Sequence, residues 1–180
     1  MRVLPTAVAG LAVLTVTACS SAPPQTPDTQ PLGNVTAAPQ ECGLISAQAI
    51  QIAVGFGDYT ANGTKMDMGK RFKSCTVAKR PVDAQGARLS IQFFDPSLST
   101  AQDLENDKAS RAGEDLPDGL GPGYVTPIKE SGKVVGARAF AWTADGGRLL
   151  SVNIRHGSSR RDPGADAVEF LRQLRPILLK

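Results

Sequence analysis

The amino-acid sequence predicts a single α+β domain, in which an antiparallel sheet of about five strands packs with about three helices. Two kinds of apolar spacing support this fold class. Short runs alternate apolar and polar residues with period two, while other runs show helical spacing next to capping residues. These runs follow the order α-β-β-α-β-β-β-α, and tight turns join most of the strands. We place the domain at residues 41–180, close to the commonest domain size.

The first helix and the loop after it are predicted from their end residues. Ser46 can cap a helix over residues 47–55, because its hydroxyl can accept a hydrogen bond from a free backbone N–H. Gly55 can end that helix in the left-handed conformation. Residues 56–70 are rich in glycine and contain asparagine, so this stretch predicts a loop.

Two strands and a polar helix follow. Strands are predicted over 73–80 and 87–95, and in the second Arg88 falls on the polar, solvent-facing side of the alternation. A helix is predicted from Ser99 or Thr100 to about residue 112, with its acidic residues on a polar outer face. The glycine- and proline-rich residues 113–123 predict a loop.

The last third of the chain predicts a three-stranded antiparallel meander and a final helix. Two short turn sequences separate its strands, and one face of the last strand is polar. Asp162 followed by Pro163 marks the start of a helix, whose last turn Pro176 should interrupt. The predicted strands are residues 124–129, 133–142 and 148–156.

The N-terminal residues have the pattern of an export signal. Arg2 supplies a positive charge, and residues 3–16 are almost wholly apolar but too short to span a bilayer as a stable helix. Val16-Thr17-Ala18-Cys19, directly behind this run, resembles the lipobox of bacterial lipoproteins. The resemblance implies that residues 1–18 are removed and that Cys19 carries a diacylglyceryl thioether. The alternative is plain secretion with an unmodified cysteine.

The lipid anchor predicts a location and a partner. The protein would be held at the extracytoplasmic face of the cell membrane, with the membrane as its partner through Cys19. Residues 19–40 contain five prolines, one charged residue and no aromatic residue, so we expect a disordered tether. A proline-rich tether of that length reaches up to roughly 60 Å.

Two further cysteines, Cys42 and Cys75, form an even pair in an oxidising compartment and predict a structural disulfide. Closing a loop of about 34 residues would stabilise the domain by roughly 4 kcal/mol in the chain-entropy model. A metal pair is the first alternative, although two thiols and one histidine fall short of four ligands. A redox-active pair is the second.

The charge of the chain is nearly balanced, with 20 lysines and arginines against 17 aspartates and glutamates. This balance argues against a nucleic-acid partner. No motif with metal-ligand or catalytic spacing is present, so the sequence predicts no cofactor, no metal and no catalytic residue.

The only dense basic cluster predicts a possible anion-binding loop. Cations on such a loop could meet phosphates of lipid head groups or wall polymers. The favoured function is therefore a non-enzymatic binding module for an envelope lipid, a wall component or a partner protein. The alternative is an envelope hydrolase that uses the loop carboxylates Glu114 and Asp118. The cluster consists of Arg155, His156, Arg160 and Arg161.

Several short motifs together resemble a group of actinobacterial lipoproteins known only as a domain of unknown function. They are Cys42-Gly-Leu-Ile-Ser before a helix, Cys75 in the first strand, the LPDGLGPGY loop at 116–124, and the final meander and helix. Membership implies no activity. It supports a disulfide between the start of the first helix and the first strand, and an envelope of Gram-positive or mycolate-bearing type.

Overall fold

The chain was analysed as a computed structural model that describes residues 26–67 and 71–180. The predicted signal peptide, residues 1–18, and the lipid site Cys19 lie outside the described residues. The elements are β1 (Gln40–Glu41), β2 (Ile45–Ser46), α1 (Ala47–Val54), β3 (Tyr59–Asp67), β4 (Arg71–Lys79), β5 (Ala87–Asp95), α2 (Ala101–Ser110), β6 (Glu114–Asp115), β7 (Gly123–Glu130), β8 (Lys133–Trp142), β9 (Leu149–Arg155) and α3 (Pro163–Leu178).

A seven-stranded antiparallel sheet organises these elements, in the order β3-β4-β5-β9-β8-β7-β6. Strands β1 and β2 form a separate two-stranded pair. Two meanders join where β5 pairs with β9, which sets Leu89 opposite Ile154 and Phe93 opposite Leu150. The α+β class and the three helices are confirmed for the described residues, while the large sheet has more strands than the five or so expected.

The prediction of a loop over residues 56–70 is wrong for residues 59–67. These form β3, an edge strand that pairs with β4 and places Gly63 opposite Cys75. A side chain at Gly63 is excluded by the Cys42–Cys75 disulfide, since a Cβ there would lie 2.8 Å from the Cys42 Cβ. The glycine that suggested a loop is therefore required inside the strand, where the disulfide crosses it.

Helices cover both faces of the sheet. Ala139 and Ala141 of β8 lie in the main core with residues of α3, so α3 packs on one face. The alternate residue Trp142 points to the opposite face, where it packs with Tyr124 and with Leu104 of α2. Helix α1 shares the main core with α3 and contacts β5.

The final helix begins as predicted but ends later. Asp162 caps it by accepting hydrogen bonds from the backbone N–H groups of Gly164 (2.8 Å) and Ala165 (3.1 Å). Pro176 does not interrupt it, because the helix continues to Leu178 and both Leu178 and Leu179 are buried. Burial of these side chains outweighs the loss of one backbone hydrogen bond.

The second half of the predicted tether lies on the domain. Leu32 is 3 % exposed and Val35 is completely buried in the main core. The Gln173 side chain of α3 accepts a hydrogen bond from the Val35 N–H at 2.9 Å and donates one to the Gly33 carbonyl at 2.7 Å. The Asp28 N–H donates to the Arg160 carbonyl at 2.8 Å. The folded domain therefore begins near residue 28, not at residue 41.

Candidate functional site

The candidate site is built around the loop of residues 156–162, which follows β9 and leads into α3. His156 turns the chain, with a φ of 48°. The loop then lies against the end of α1, because the Ser158 N–H donates to the Ala53 carbonyl at 3.3 Å. Gly157 permits this approach, since a Cβ there would lie 2.8 Å from the same carbonyl oxygen.

Two members of the predicted basic cluster are already paired with one carboxylate. Arg155 donates from Nε to Glu130 Oε1 at 2.8 Å, and His156 Nε2 lies 3.4 Å from Glu130 Oε2. The hydrogen bond from Arg155 holds the pKa of Glu130 below its usual value, despite the small opposing effect of burial. Arg155 and His156 are therefore less available to an external anion than the sequence suggested.

Arg161 has a structural position, whereas Arg160 remains open to solvent. The Arg161 side chain is 6 % exposed and makes two hydrogen bonds to Asp166, at 2.6 and 2.7 Å. It also lies 3.4 Å from Asp28, so it ties the start of the folded chain to α3. Arg160 is exposed and forms no ion pair within the described residues. Of the four predicted cations, Arg160 is the one best placed to meet a ligand.

Three cavities lie next to one another beside this loop, the outer two each sharing lining residues with the middle one, and we call them together the groove. The middle cavity, of about 500 Å³, contains His156 and Val134 in its walls. It shares His156 and Ser158 with a cavity of about 690 Å³, and Val134 and Pro163 with a cavity of about 610 Å³ on the other side. Each volume falls in the range of small-molecule sites.

One end of the groove is mainly apolar and lies between β7, β8 and α3. Val134 lines both this end and the middle cavity, and it is 58 % exposed, which is unusual for a large apolar side chain. Four carboxylates also line this end, so its apolar surface is bordered by negative charge. The apolar lining residues are Pro117, Val125, Pro127, Val134, Ala137, Pro163, Ala165 and Val168, and the acidic ones are Glu114, Asp115, Asp162 and Glu169.

The other end of the groove is cationic and lies where the described chain starts. Lys79, Arg88 and Arg160 line it together with Thr26. The Lys79 Nζ lies 5.9 Å from the centre of the Phe56 ring, a cation–π contact that leaves the ammonium group facing the cavity wall. We call this part the cationic end and the opposite part the apolar end.

Arg88 corrects a prediction, because it is 4 % exposed and not solvent-facing. The loop before β5 folds over it, and its guanidinium pairs with Asp83 and donates to Gln85 and, at 3.4 Å, to the His156 carbonyl. Its Nε is buried with no partner in the described residues. Arg88 has no partner in the β4–β5 register, because Ala78 pairs with Ala87 and Val77 with Leu89, so a β-bulge breaks the period-two alternation at this residue.

The carboxylates of the alternative hydrolase are exposed. Glu114 and Asp118 both lie at the surface, and of these two only Glu114 lines the groove. Their neighbour Asp115 forms an ion pair with Lys108. Because both carboxylates are exposed, they do not form the shielded pair that the hydrolase hypothesis requires.

Sequence reasoning missed the residues that shape the groove, namely Lys79, Val134 and Gly136. Gly136 carried a usable signal, because a glycine inside a strand often marks a close approach of another backbone. A Cβ at Gly136 would meet the backbone of β9 at Ile154 and Arg155. Lys79 and Val134 carried no such signal, since each is an ordinary residue at a strand end.

Comparison with known proteins identifies no relative: no family model, no curated protein and no solved structure matches the chain. Within residues 26–67 and 71–180, no helix is both long and apolar enough to cross a membrane. In the same described part, no group of three or more His, Cys, Asp or Glu side chains could hold a metal ion. The groove therefore has to be interpreted from its own chemistry.

Proposed function

We propose that the protein is an exported lipoprotein, anchored through a diacylglyceryl group at Cys19, whose domain binds an anionic lipid in the groove. The protein acts as a binding or accessory module and not as an enzyme. The observation that carries the proposal is the change in character along one continuous groove, from an apolar end at Val134 to a cationic end at Arg160.

The two ends of the groove match the two parts of a lipid. Acyl chains gain free energy from apolar walls such as Val134 and Val168, at about 25 cal/mol per Å² of apolar surface removed from water. A phosphate head group is favoured beside Lys79 and Arg160 and disfavoured beside the carboxylates of the apolar end. The charges therefore give an anionic lipid one orientation, with its head at the cationic end.

The position of residues 26–28, where the folded part of the chain begins, supports the proposal that the cationic end lies close to the membrane. Thr26 lines that end, and Asp28 is bound to the Arg160 carbonyl and near the Arg161 guanidinium. Cys19 is seven residues before Thr26, and a fully extended chain of that length spans at most about 25 Å. This is less than half of the reach expected when residues 19–40 were taken as tether.

A lipid bound in this orientation would have its head group on the membrane side. The domain could then exchange a lipid with the outer surface of the membrane without turning over. An ordinary wall component or a partner protein fits the groove less well, because neither requires an apolar end and a cationic end in one channel.

The test is native mass spectrometry of the full-length protein purified from its own envelope, compared with two variants. Val134→Asp places a carboxylate in the apolar end and the middle cavity. Leu98→Asp is the matched control, because Leu98 is 86 % exposed and follows the far end of β5. We expect a non-covalent lipid mass on the wild type and on Leu98→Asp, and its loss from Val134→Asp.

The denatured mass from the same sample tests the anchor separately. It should include the mass of a diacylglyceryl group on a chain that begins at Cys19. A wild-type native spectrum without any lipid mass would contradict the groove proposal, and equal lipid occupancy in both variants would do the same. An unacylated chain cut at another residue would contradict the anchor while leaving the groove proposal standing.

A further inference from the structure

The sheet face opposite α1 and α3 carries hydroxyl and amide side chains at its centre. Strand register aligns them in two rows across β4, β5, β9 and β8. Helix α2 covers only one corner of this face, at Tyr124 and Trp142, and both rows are partly exposed. The first row is Thr76, Ser90, Asn153 and Arg138, and the second row is Ser74, Gln92, Ser151 and Phe140. We call these two rows the polar face.

Arg138 stands out on the polar face because its side chain has no hydrogen-bond or ion-pair partner among the described residues, although its charge helps to lower the pKa of Asp107. Its Nε is buried without an acceptor in that part of the chain. Its cross-strand neighbour Asn153 likewise has a buried Oδ1 without a donor. By contrast, seven other arginines form ion pairs with Asp or Glu: Arg71, Arg88, Arg111, Arg148, Arg155, Arg161 and Arg172.

A small basic cavity adjoins Arg138 at the edge of the polar face. It has a volume of about 290 Å³, and Arg111, Lys129 and Arg138 line it together with Thr126. Lys129 is exposed and has no ion pair in the described residues, while Arg111 uses its Nε to bind Asp107 at 2.8 and 2.9 Å. Because Asp107 balances one of the three cations, a net positive charge remains at the cavity and favours an anionic group. The volume suits one charged ring of a longer ligand.

We propose that the polar face binds an acidic polysaccharide, with a negatively charged sugar in the cavity beside Arg138 and the following sugars along the two rows. The carboxylate or phosphate of the first sugar pairs with the guanidinium of Arg138 and the ammonium of Lys129. Hydroxyls of the following sugars exchange hydrogen bonds with the Ser, Thr, Asn and Gln side chains. Neighbouring strands lie about 4.8 Å apart, a spacing close to the length of one sugar ring.

Other classes of partner fit the polar face less well. A protein partner generally requires a desolvated apolar or aromatic centre, whereas the centre here consists of Ser90, Gln92, Ser151 and Asn153. A nucleic acid requires cations repeated along its backbone, whereas the cations here are gathered at one end. The basic cavity shares Thr126 and Pro127 with the apolar end of the groove, but Arg138 and the other residues of the two rows line none of the three groove cavities, so this proposal does not require lipid binding.

The test is isothermal titration of the full-length protein in detergent with three probes: hexagalacturonate, maltohexaose and inorganic phosphate. We expect hexagalacturonate to bind and the neutral maltohexaose to bind at least about tenfold more weakly, because the charge-assisted hydrogen bonds are lost. Phosphate alone should bind more weakly than hexagalacturonate, since it cannot contact the two rows.

Three variants assign the binding to the polar face. Arg138→Leu should weaken hexagalacturonate binding by about tenfold or more, and the exposed Lys129→Ala should weaken it several-fold without any risk to the core. Arg80→Leu, at an exposed arginine that lines neither the groove nor the basic cavity, should leave it unchanged. The proposal is overturned if hexagalacturonate does not bind, if maltohexaose or phosphate binds equally well, or if Lys129→Ala and Arg138→Leu bind like the wild type.

Discussion

Asp107 shows how one residue departs from the pattern of its helix. Asp103 and Glu105 face solvent as the sequence predicts, but the Asp107 carboxylate accepts a hydrogen bond from the buried Tyr124 hydroxyl at 2.5 Å. Its two oxygens also share the single Arg111 Nε–H in a bifurcated hydrogen bond. Burial opposes ionisation of Asp107, yet these hydrogen bonds outweigh it and hold the pKa of the carboxyl below its usual value.

Replacing Tyr124 by phenylalanine should therefore destabilise the protein in a pH-dependent way. We expect a loss of about 1 kcal/mol at pH 7, reduced from the usual value for a charged acceptor because the Asp107 side chain is 36 % exposed. A lowered pKa stabilises the fold above the unfolded-state pKa, and this contribution disappears as the pH falls through the folded-state pKa. The difference between wild type and Tyr124→Phe should thus shrink below about pH 4.

Urea unfolding between neutral and acidic pH measures this difference. Tyr59→Phe is the matched control, because its hydroxyl donates to Glu41 at a longer distance, 3.2 Å, from a partly exposed position. The control should lose less stability than Tyr124→Phe at pH 7. A difference that stays constant down to strongly acidic pH would contradict the linkage to Asp107.

Among the elements, the segment before β1 differs most from its prediction. Its composition indicates disorder, since residues 28–40 contain two prolines, one charged residue and no aromatic residue. Two apolar side chains nevertheless secure it: Leu32 and Val35 fill space beside α3, and Gln173 binds the backbone on either side of Asn34. A few well-packed residues can order a segment whose average composition is that of a linker.

Val35→Ala should destabilise the domain by about 1–2 kcal/mol, because it removes methyl groups from a completely buried position. Val82→Ala, at a position that is 73 % exposed, provides the control and should change stability by less than about 0.5 kcal/mol. Chemical denaturation of both full-length variants checks the prediction. Equal stability of the two variants would show that the segment is not part of the folded unit.

The disulfide also connects whole elements, because it joins the turn before α1 to β4, the second strand from one edge of the sheet. Cys42 and Cys75 are 33 residues apart in sequence, with Cα atoms 5.6 Å apart. Cys75 is completely buried in β4, and Gly63 of β3 gives the bridge its room. The covalent link therefore fixes the turn before α1 to β4, beside Gly63 of the mostly exposed edge strand β3.

At the scale of the whole molecule, the position of Thr26 determines which side of the domain would face the membrane under the lipoprotein proposal. Lys79 and Arg160 lie at the cationic end together with Thr26. Since Cys19 is within about 25 Å of Thr26, these cations should lie near anionic head groups, each contributing about 1 kcal/mol to membrane affinity.

Reversing both charges, in Lys79→Glu/Arg160→Glu, should lower binding to anionic vesicles by about tenfold or more. Co-sedimentation with phosphatidylglycerol vesicles measures this, using the full chain with Cys19→Ser so that the anchor does not dominate. Lys65→Glu/Lys133→Glu changes the net charge equally at two exposed positions that do not line the groove. Equal weakening in both double variants would mean that net charge alone matters, and that no particular side faces the membrane.

Local patterns predicted much of the fold because they depend on neighbours in sequence. The alternation of Leu150, Val152 and Ile154 gave a strand with one buried face, and Asp162 followed by Pro163 gave the start of α3. The pairing of Cys42 with Cys75 followed from cysteine number and compartment. The loop prediction failed for β3 because Gly63 makes room for a disulfide between two cysteines that lie outside β3. No pattern within residues 56–70 indicates that requirement.

The sequence by itself determined the α+β class, the order of the main elements and the pair of cysteines, since these depend on periodicity, capping and composition. Only the tertiary structure decided that residues 28–40 join the domain and that Arg88 and Arg161 are held inside by ion pairs. It also decided that Arg138 has no hydrogen-bond or ion-pair partner in the part of the chain that the structure describes. The groove and the polar face could also be recognised only from the tertiary structure. Each of these features depends on which distant segments meet, and contacts between distant segments leave no local pattern in the chain.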